Sequence, residues 1–355
     1  LNKMEKFFIF SFSFYVATIA INLWWFDGYV RDIDTPSRLL LVLPIYFFIR
    51  KFEINVNWFI WGVALGAVAA GMIKLGVIDV VYLSKVVTVQ TGIFSLFSSI
   101  FGLSSIMFIR RGNPHIKNVL LSVAFALGMV ASFMSGGRGV WIAAVLSLML
   151  TLAINPIQWS IKSKLLALLS FFVLFYSAYS IPQTGVKNKI FTAITNTTGW
   201  VQNGQANTSS GARLEMWKAS FEVIKENPIF GVGEDNYAKH QQKLIDQGKI
   251  DKSVGDFLHP HGEYITSLVE QGAIGLLAFI LILFAPIKYL LSHIRSELYE
   301  HENKPLIASG LIVVLHYLFY SFTSGVFDHQ STTLFYAVFI ATILGLIQSN
   351  SRTKV

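Results

Sequence analysis

The chain has 355 residues, 54% of them hydrophobic and only 14% charged, with a mean hydropathy of +0.56. Soluble domains carry roughly 25% charged residues, so this composition excludes a large soluble core and points to an all-α, polytopic membrane protein. With no cysteine, disulfides, thiolate metal sites and a cysteine nucleophile are excluded as well.

Apolar runs long enough to cross a hydrocarbon layer of ~30 Å recur along the chain. We read ten spans, at about 7–25, 38–49, 58–78, 92–109, 117–134, 139–155, 163–181, 264–286, 306–327 and 331–348. The first has no small-residue cleavage site, so it reads as a span and not a signal peptide. The chain opens on Leu1 rather than Met, which suggests that the natural N-terminus lies further upstream. Lys3, Lys6, Arg50, Lys51, Arg110, Arg111, Lys117, Lys162, Lys164, Lys288, Arg295, Lys304, Arg352 and Lys354 gather at one set of helix ends. The short loops at the other ends hold only Arg31, Arg38, Lys85 and Arg138. By the positive-inside rule the first set is cytoplasmic. The net charge of +8 is therefore a topology signal and no nucleic-acid footprint.

This reading divides the chain into N-terminal spans (1–181), a large outer loop with short helices (182–263), C-terminal spans (264–348) and a cytoplasmic tail (349–355). The outer loop carries nine Lys/Arg and nine Asp/Glu. Within it, 196–211 is rich in Asn, Thr, Ser, Gly and Gln and reads as flexible linker. A helix is expected over about 212–226, ended by Asn227-Pro228. Its Leu214, Trp217, Phe221 and Ile224 form one apolar stripe at spacings of three and four, which suits a helix lying in the membrane interface with Trp217 as anchor. Gly231-Val232-Gly233 reads as a turn, and 234–256 as partly helical.

Five places carry chemistry. Arg213 stands in the first turn of the expected helix, where unpaired N–H groups and a forked guanidinium together favour phosphate; the competing reading is an arginine snorkelling to lipid headgroups. Arg138 sits in Ser135-Gly136-Gly137-Arg138-Gly139, a hairpin between two spans. A charge there is costly in lipid and should face a cavity, or else pair with Asp328 or Glu263. His259 and His261, two residues apart at the start of the span at 264–286, include a base for a hydroxyl proton, with His261 the main candidate and a surface pair the alternative. Arg38 begins a span on the same side and is either a third phosphate contact or topology punctuation. Asp328 and His329 form a tight outer hairpin. His316 and Lys74 read as packed or snorkelling, and Gly62–Gly66 as a helix-packing pair. No carboxylate cluster reads as a metal site.

The tight turn with Arg138, the Gly-Ala-Arg-Leu helix start at Arg213 and the His-x-His-x-Glu that ends the outer loop at Glu263 occur in this order on one side. Together they resemble the O-antigen ligase family of Gram-negative inner membranes, which shares a domain with O-antigen polymerases and protein O-oligosaccharyltransferases. The resemblance runs through about 85–348 and is strongest at 209–233 and 258–276. It implies transfer of O-antigen from undecaprenyl pyrophosphate to a sugar hydroxyl of lipid A–core at the periplasmic face. Arg138 and Arg213 would hold the pyrophosphate and His261 would be general base, with Arg38 as a further pyrophosphate contact. His259, Glu263, Asp328 and Trp217 would be secondary residues of the site. No cofactor and no metal are expected, and the anomeric centre would be inverted. A polymerase, a protein O-oligosaccharyltransferase and, more remotely, a transporter of an anionic substrate are the other readings. Two departures stand out: the family has about twelve spans against the ten read here, which would leave an N-terminal hairpin missing, and Gly262 stands where it commonly has Asn.

Overall fold

The structure, a computed structural model, describes residues 1–52, 54–77, 114–135, 137–234, 236–294 and 303–352. The expected span at 92–109 lies outside the described residues, as do Lys85, Arg110, Arg111, Gly136, Arg295 and Lys354. What is described is helical. The N-terminal helices are α1 (Lys3–Trp25), α2 (Asp34–Ser37), α3 (Val42–Lys51) and α4 (Val56–Lys74). The next are α5 (Pro114–Ser135), α6 (Arg138–Ile154), α7 (Ile161–Ser180) and α8 (Val186–Asn203). There follow α9 (Ser209–Glu226), α10 (Tyr237–Asp246), α11 (Glu263–Ile294), α12 (Lys304–Tyr320) and α13 (Gln330–Arg352).

Among the described residues six stretches are long and apolar enough to cross a membrane: Lys3–Trp25, Val56–Lys74, Ile116–Ser135, Ile161–Ser180, Glu263–Ile294 and Gln330–Asn350. Each matches an expected span. Two further spans appear as shorter apolar helices, Arg138–Ile154 and Lys304–Tyr320. The chain is thus a polytopic helical membrane protein. Two expectations are corrected. The span at 38–49 is a 3-10 turn, Arg38–Leu41, followed by a ten-residue helix, too short to span. The span at 306–327 ends as helix at Tyr320, because the carbonyls of Ser321 and Ser324 turn outward to accept from the N–H of Glu263 at 2.9 and 3.2 Å.

The described residues form two compact units. One comprises Val42–Lys189, Pro286–Phe319 and Phe335–Val355. In it α4 and α5 approach so closely at Gly71 that a Cβ there would lie 2.7 Å from the Leu127 side chain. The Gly62–Gly66 pair does not make this contact: both glycines are exposed among the described residues, so Gly71 is the packing glycine. Gly345 plays the same part on α13, against Ile49 of α3 at 2.9 Å. A buried Tyr46–Tyr289 contact and a Tyr289–Gln348 hydrogen bond of 2.8 Å tie α3, α11 and α13 together. His316 is fully buried here.

The other unit comprises Leu1–Leu41, Ile190–Ala285 and Tyr320–Leu334. Its core gathers Ala212, Met216, Ala219 and Val223 of α9 with Tyr237 and Leu244 of α10, Val254, and Val269 of α11. The organising feature is a break in α11 at Gly272 (φ 67°, ψ −159°). A helix break frees carbonyls, and a buried carbonyl without a donor is costly. Here the Gly231–Gly233 turn supplies donors: Val232 N–H to Val269 O and Gly233 N–H to Glu270 O, both 2.9 Å. In return Ala273 N–H reaches Pro228 O at 2.9 Å. Asn22 of α1 closes the joint, donating to Phe230 O (3.3 Å) and Glu270 O (3.0 Å) and accepting from Glu234 N–H (3.2 Å). A Cβ at position 272 would fall on the Ile229 carbonyl, and one at 231 on that of Glu270.

The linker expected at 196–211 is also corrected. Residues 196–203 belong to α8, which continues to Asn203 before a short turn leads into α9. Trp200 donates through Nε1 to Glu215 Oε2 at 3.0 Å, a tertiary anchor that outweighs the polar composition. α9 begins at Ser209, three residues earlier than expected, because the Thr208 side chain caps it by accepting from Gly211 N–H at 3.1 Å.

Glycines with the same backbone sign but different neighbours separate strain from packing. Gly248 has φ +68° with open space around it, whereas Gly272 has φ +67° and meets backbone. Gly248→Ala is expected to cost about 1 kcal/mol and Gly272→Ala more than about 3 kcal/mol. Thermal unfolding of the two variants in detergent measures this; equal losses would show that the joint contributes nothing beyond its backbone angle.

Candidate functional site

α9 places Arg213 one turn in from its N-terminus. The face of α9 that packs inward is Ala212, Met216, Ala219 and Val223, with Ile224 packed against the same core. Small residues there let α9 lie close to its neighbours. On the stripe read from the sequence, Phe221 is exposed and Trp217 is half-buried. Trp217 has a polar tie: its Nε1 donates to the Pro260 carbonyl at 3.0 Å, which fastens α9 to the histidine loop. Glu215, two residues from Arg213, is buried and accepts from Trp200 Nε1, Asp251 N–H (3.0 Å) and Lys218 Nζ (3.2 Å). Sequence reading passed over Glu215 and Trp200, whose partnership links α8 to α9 and cannot be seen as a spacing.

Arg213 and His261 line one cavity of about 360 Å³. The rest of its wall is Ala206, Asn207, Thr208, Ser209, Ala212, Met216, Ser253 and Phe257, so the N-terminal turn of α9 also faces it. Among the described residues no carboxylate lines this cavity. An arginine, a helix N-terminus and hydroxyl side chains make a setting for an anion.

His261 is held in the left-handed region (φ 50°), an arrangement that costs a non-glycine residue roughly 1–2 kcal/mol. Its ring meets His259 edge-on, with centroids 4.7 Å apart, and Phe257 at 5.7 Å. Partial burial pushes the His261 imidazole down to about 4, helped by the nearby charges of His259, Arg213 and His329. It is therefore neutral at physiological pH, with a nitrogen free of its second proton. Gly262 is buried beneath it, and a Cβ there would press to 3.3 Å on the Phe322 carbonyl. Glycine at this position lets the 321–324 turn reach the backbone of Glu263.

Glu263 is a bolt. Its carboxylate accepts from Tyr15 Oη at 3.4 Å and from Phe327 N–H at 3.1 Å, and its own N–H goes to the 321–324 turn. It joins α1, the start of α11 and the loop that carries Asp328. That loop needs Gly325, because a Cβ there would fall on the Asp328 carboxylate.

His259 faces a second cavity in the same unit, of about 380 Å³, shared with Glu263 and Asp328. Asp32 and Asp34 line it too. They form an Asp-x-Asp pair that the sequence reading did not single out, and each is engaged by an arginine. Arg31 lies 3.5 Å from Asp32, and Arg38 donates to Asp34 at 2.7 Å. Arg38 is thus engaged by Asp34 and lines neither cavity. Among the described residues no three His, Asp or Glu side chains are placed to ligate one metal ion. Arg138 opens α6 in the other unit, its guanidinium 3.5 Å from the Lys189 carbonyl.

The Trp217 tie predicts that Trp217→Phe, losing a single hydrogen bond of about 1 kcal/mol, loosens the histidine loop while leaving the fold intact. Amide exchange followed by mass spectrometry should quicken severalfold across 257–262 with little change in melting temperature. Unchanged exchange there would show the tie to be incidental.

Two comparisons with known proteins bear on this site. Residues 121–280 match the family model described as O-antigen ligase. Over 341 residues the chain is 28% identical to an uncharacterized protein of Haemophilus influenzae, covering 94% of this chain and 84% of the relative. Arg138, Arg213 and His261 all fall within the matched stretch, residues 121–280, over which the chain is similar to that family.

Proposed function

We propose that the protein is an O-antigen ligase that transfers O-antigen from undecaprenyl pyrophosphate to a sugar hydroxyl of lipid A–core at the periplasmic face of the inner membrane. The observation that carries this reading is the shared cavity of Arg213, the α9 N-terminus and His261, free of carboxylates and so suited to a pyrophosphate. In the step itself the acceptor oxygen attacks the anomeric carbon and forms the new glycosidic bond. The bond from that carbon to the pyrophosphate oxygen breaks, and the electron pair leaves with undecaprenyl pyrophosphate. The hydroxyl proton passes to His261. Attack from the side opposite the leaving group inverts the anomeric centre.

Arg213 stabilises the charge that grows on the leaving group, and Arg138, from the same matched domain, joins it in this role. In this division of labour the arginines do what a divalent cation does elsewhere. The low affinity of His261 for protons belongs to the empty cavity. Burial contributes most to that depression, and a pyrophosphate arriving beside Arg213 offsets the smaller share that comes from like charge, so it raises the basicity of the imidazole at the moment a base is needed.

The test is in vitro transfer from lipid-linked O-antigen to lipid A–core by the purified chain, in EDTA. His261→Ala is expected to lose about 10²–10⁴-fold in kcat, and wild-type turnover would end the general-base assignment. Arg213→Lys keeps the charge but not the fork and should lose about tenfold or more; near-normal activity would mean that charge alone suffices.

The pH dependence follows from the same electrostatics. His261 must be unprotonated to act, so activity falls as pH drops through its pKa. The acid limb of kcat/KM, which reports the free enzyme, should lie near pH 4, and that of kcat, which reports the donor-bound enzyme, at higher pH. A kcat limb at or below that of kcat/KM would contradict the coupling between donor charge and base.

A further inference from the structure

The second cavity has a chemistry opposite to the first. Six of its lining residues are acids: Asp32, Asp34, Glu234, Glu263, Glu270 and Asp328. Among the described residues Arg31 is the one guanidinium on its wall, and Arg38 reaches Asp34 from outside the lining. Asp32 and Asp34 are countered by these arginines, so the wall acts chiefly through carboxyl oxygens that attract hydrogen-bond donors and leave a phosphate or carboxylate poorly matched. Carboxyl, amide and hydroxyl groups converging on a space of about 380 Å³ match the size and polarity of a site for one small ligand.

An independent observation shows that this wall awaits a partner. Thr266, on the first turns of α11, is only 6% exposed, lines the cavity, and its buried Oγ1 has no hydrogen-bond partner. Hydroxyls buried in this way are rarely left unsatisfied, and a threonine in a helix ordinarily bonds back to the preceding turn. At another edge of the cavity the Nδ1 of His259 is likewise buried without a partner. His259 is also the side chain through which this cavity meets the first, since its ring touches that of His261.

We propose that the acidic cavity is the acceptor subsite, and that it takes a hydroxyl-rich sugar bearing no anionic group, with its reacting hydroxyl at the histidine pair. The subsite assignment rests on the glycosyl-transfer reading above. Thr266 Oγ1 and the carboxylates would hold the sugar hydroxyls, and the acidic wall would turn away uronic and phosphorylated sugars. The two cavities would then sort the two substrates by charge, the pyrophosphate toward Arg213 and the uncharged or amino-bearing sugar toward the acids.

The experiment is saturation-transfer NMR on the full chain in lipid nanodiscs, with methyl glucoside, methyl glucosaminide and methyl glucuronide titrated separately. The first two should bind saturably and the glucuronide at least tenfold more weakly. Thr266→Val, which keeps the shape and removes the hydroxyl, should weaken the glucoside at least threefold. Glu270→Gln, which leaves the backbone joint in place, should narrow the gap between glucoside and glucuronide. Glucuronide binding as tight as glucoside, no saturable binding of any of the three, or a Thr266→Val variant that binds normally would each overturn the proposal. The titration needs no donor and no turnover. Failed transfer with selective sugar binding intact would therefore count against the glycosyl-transfer reading, and normal transfer without selectivity against the subsite.

Discussion

Everything around the histidine loop depends on a reciprocal pairing of backbone groups at the break in α11. Gly272 takes a conformation that ends the hydrogen-bond ladder, and the carbonyls of Val269 and Glu270 are left without helical donors. The 228–233 turn fits into this gap, exchanges hydrogen bonds with both sides of the break, and is locked by Asn22. Neither partner is stable in that shape alone: the turn needs two left-handed glycines and the helix needs outside donors. The joint fixes where the first two turns of α11 run, and those turns carry Glu263 and Thr266.

From that anchor the site is assembled by polar ties. Glu263 draws α1 and the 321–328 turn to the head of α11, and Trp217 draws α9 to Pro260. Between these ties the segment from His259 to His261 has little freedom, and the left-handed backbone at His261 is tolerated because both ends are held. The consequence is a wall with one histidine on each side. Arg213 and His261 belong to a cavity without carboxylates, and His259 to one with six.

Electrostatics then divides the labour. Partial burial, with the nearby charges of His259, Arg213 and His329 adding to it, keeps the His261 imidazole unprotonated, which is the state the proposed general base requires. The same positive charges favour an anionic ligand, whose arrival reverses the repulsion. On the other face, acids held in place by Tyr15, Phe327 and the two arginines Arg31 and Arg38 create the opposite potential a short distance away.

Much of this was legible in the sequence, for physical reasons that differ from part to part. Apolar runs near 20 residues specify helices in a bilayer whatever their neighbours do, so eight of the ten expected spans reappear as long or shorter apolar helices. Arg213 and His261 were found because a charge or an imidazole is conspicuous in so apolar a chain. Composition misled where tertiary contacts outweighed it, as at 196–203, where Ile190, Ile194 and Val201 already carried a helical spacing and Trp200 found Glu215.

By itself, then, the sequence determined the membrane class and most of the helices, since these follow from local composition, and it singled out candidates for acid–base and phosphate chemistry from short motifs. Only the tertiary structure decided that Asp32, Glu234, Glu263, Glu270 and Asp328 share one cavity, that Arg38 is taken by Asp34, and that Gly272 breaks α11 to meet Gly231. Burial, hydrogen-bond satisfaction and local potential are set by groups that lie far apart along the chain, and no reading of spacing alone contains them.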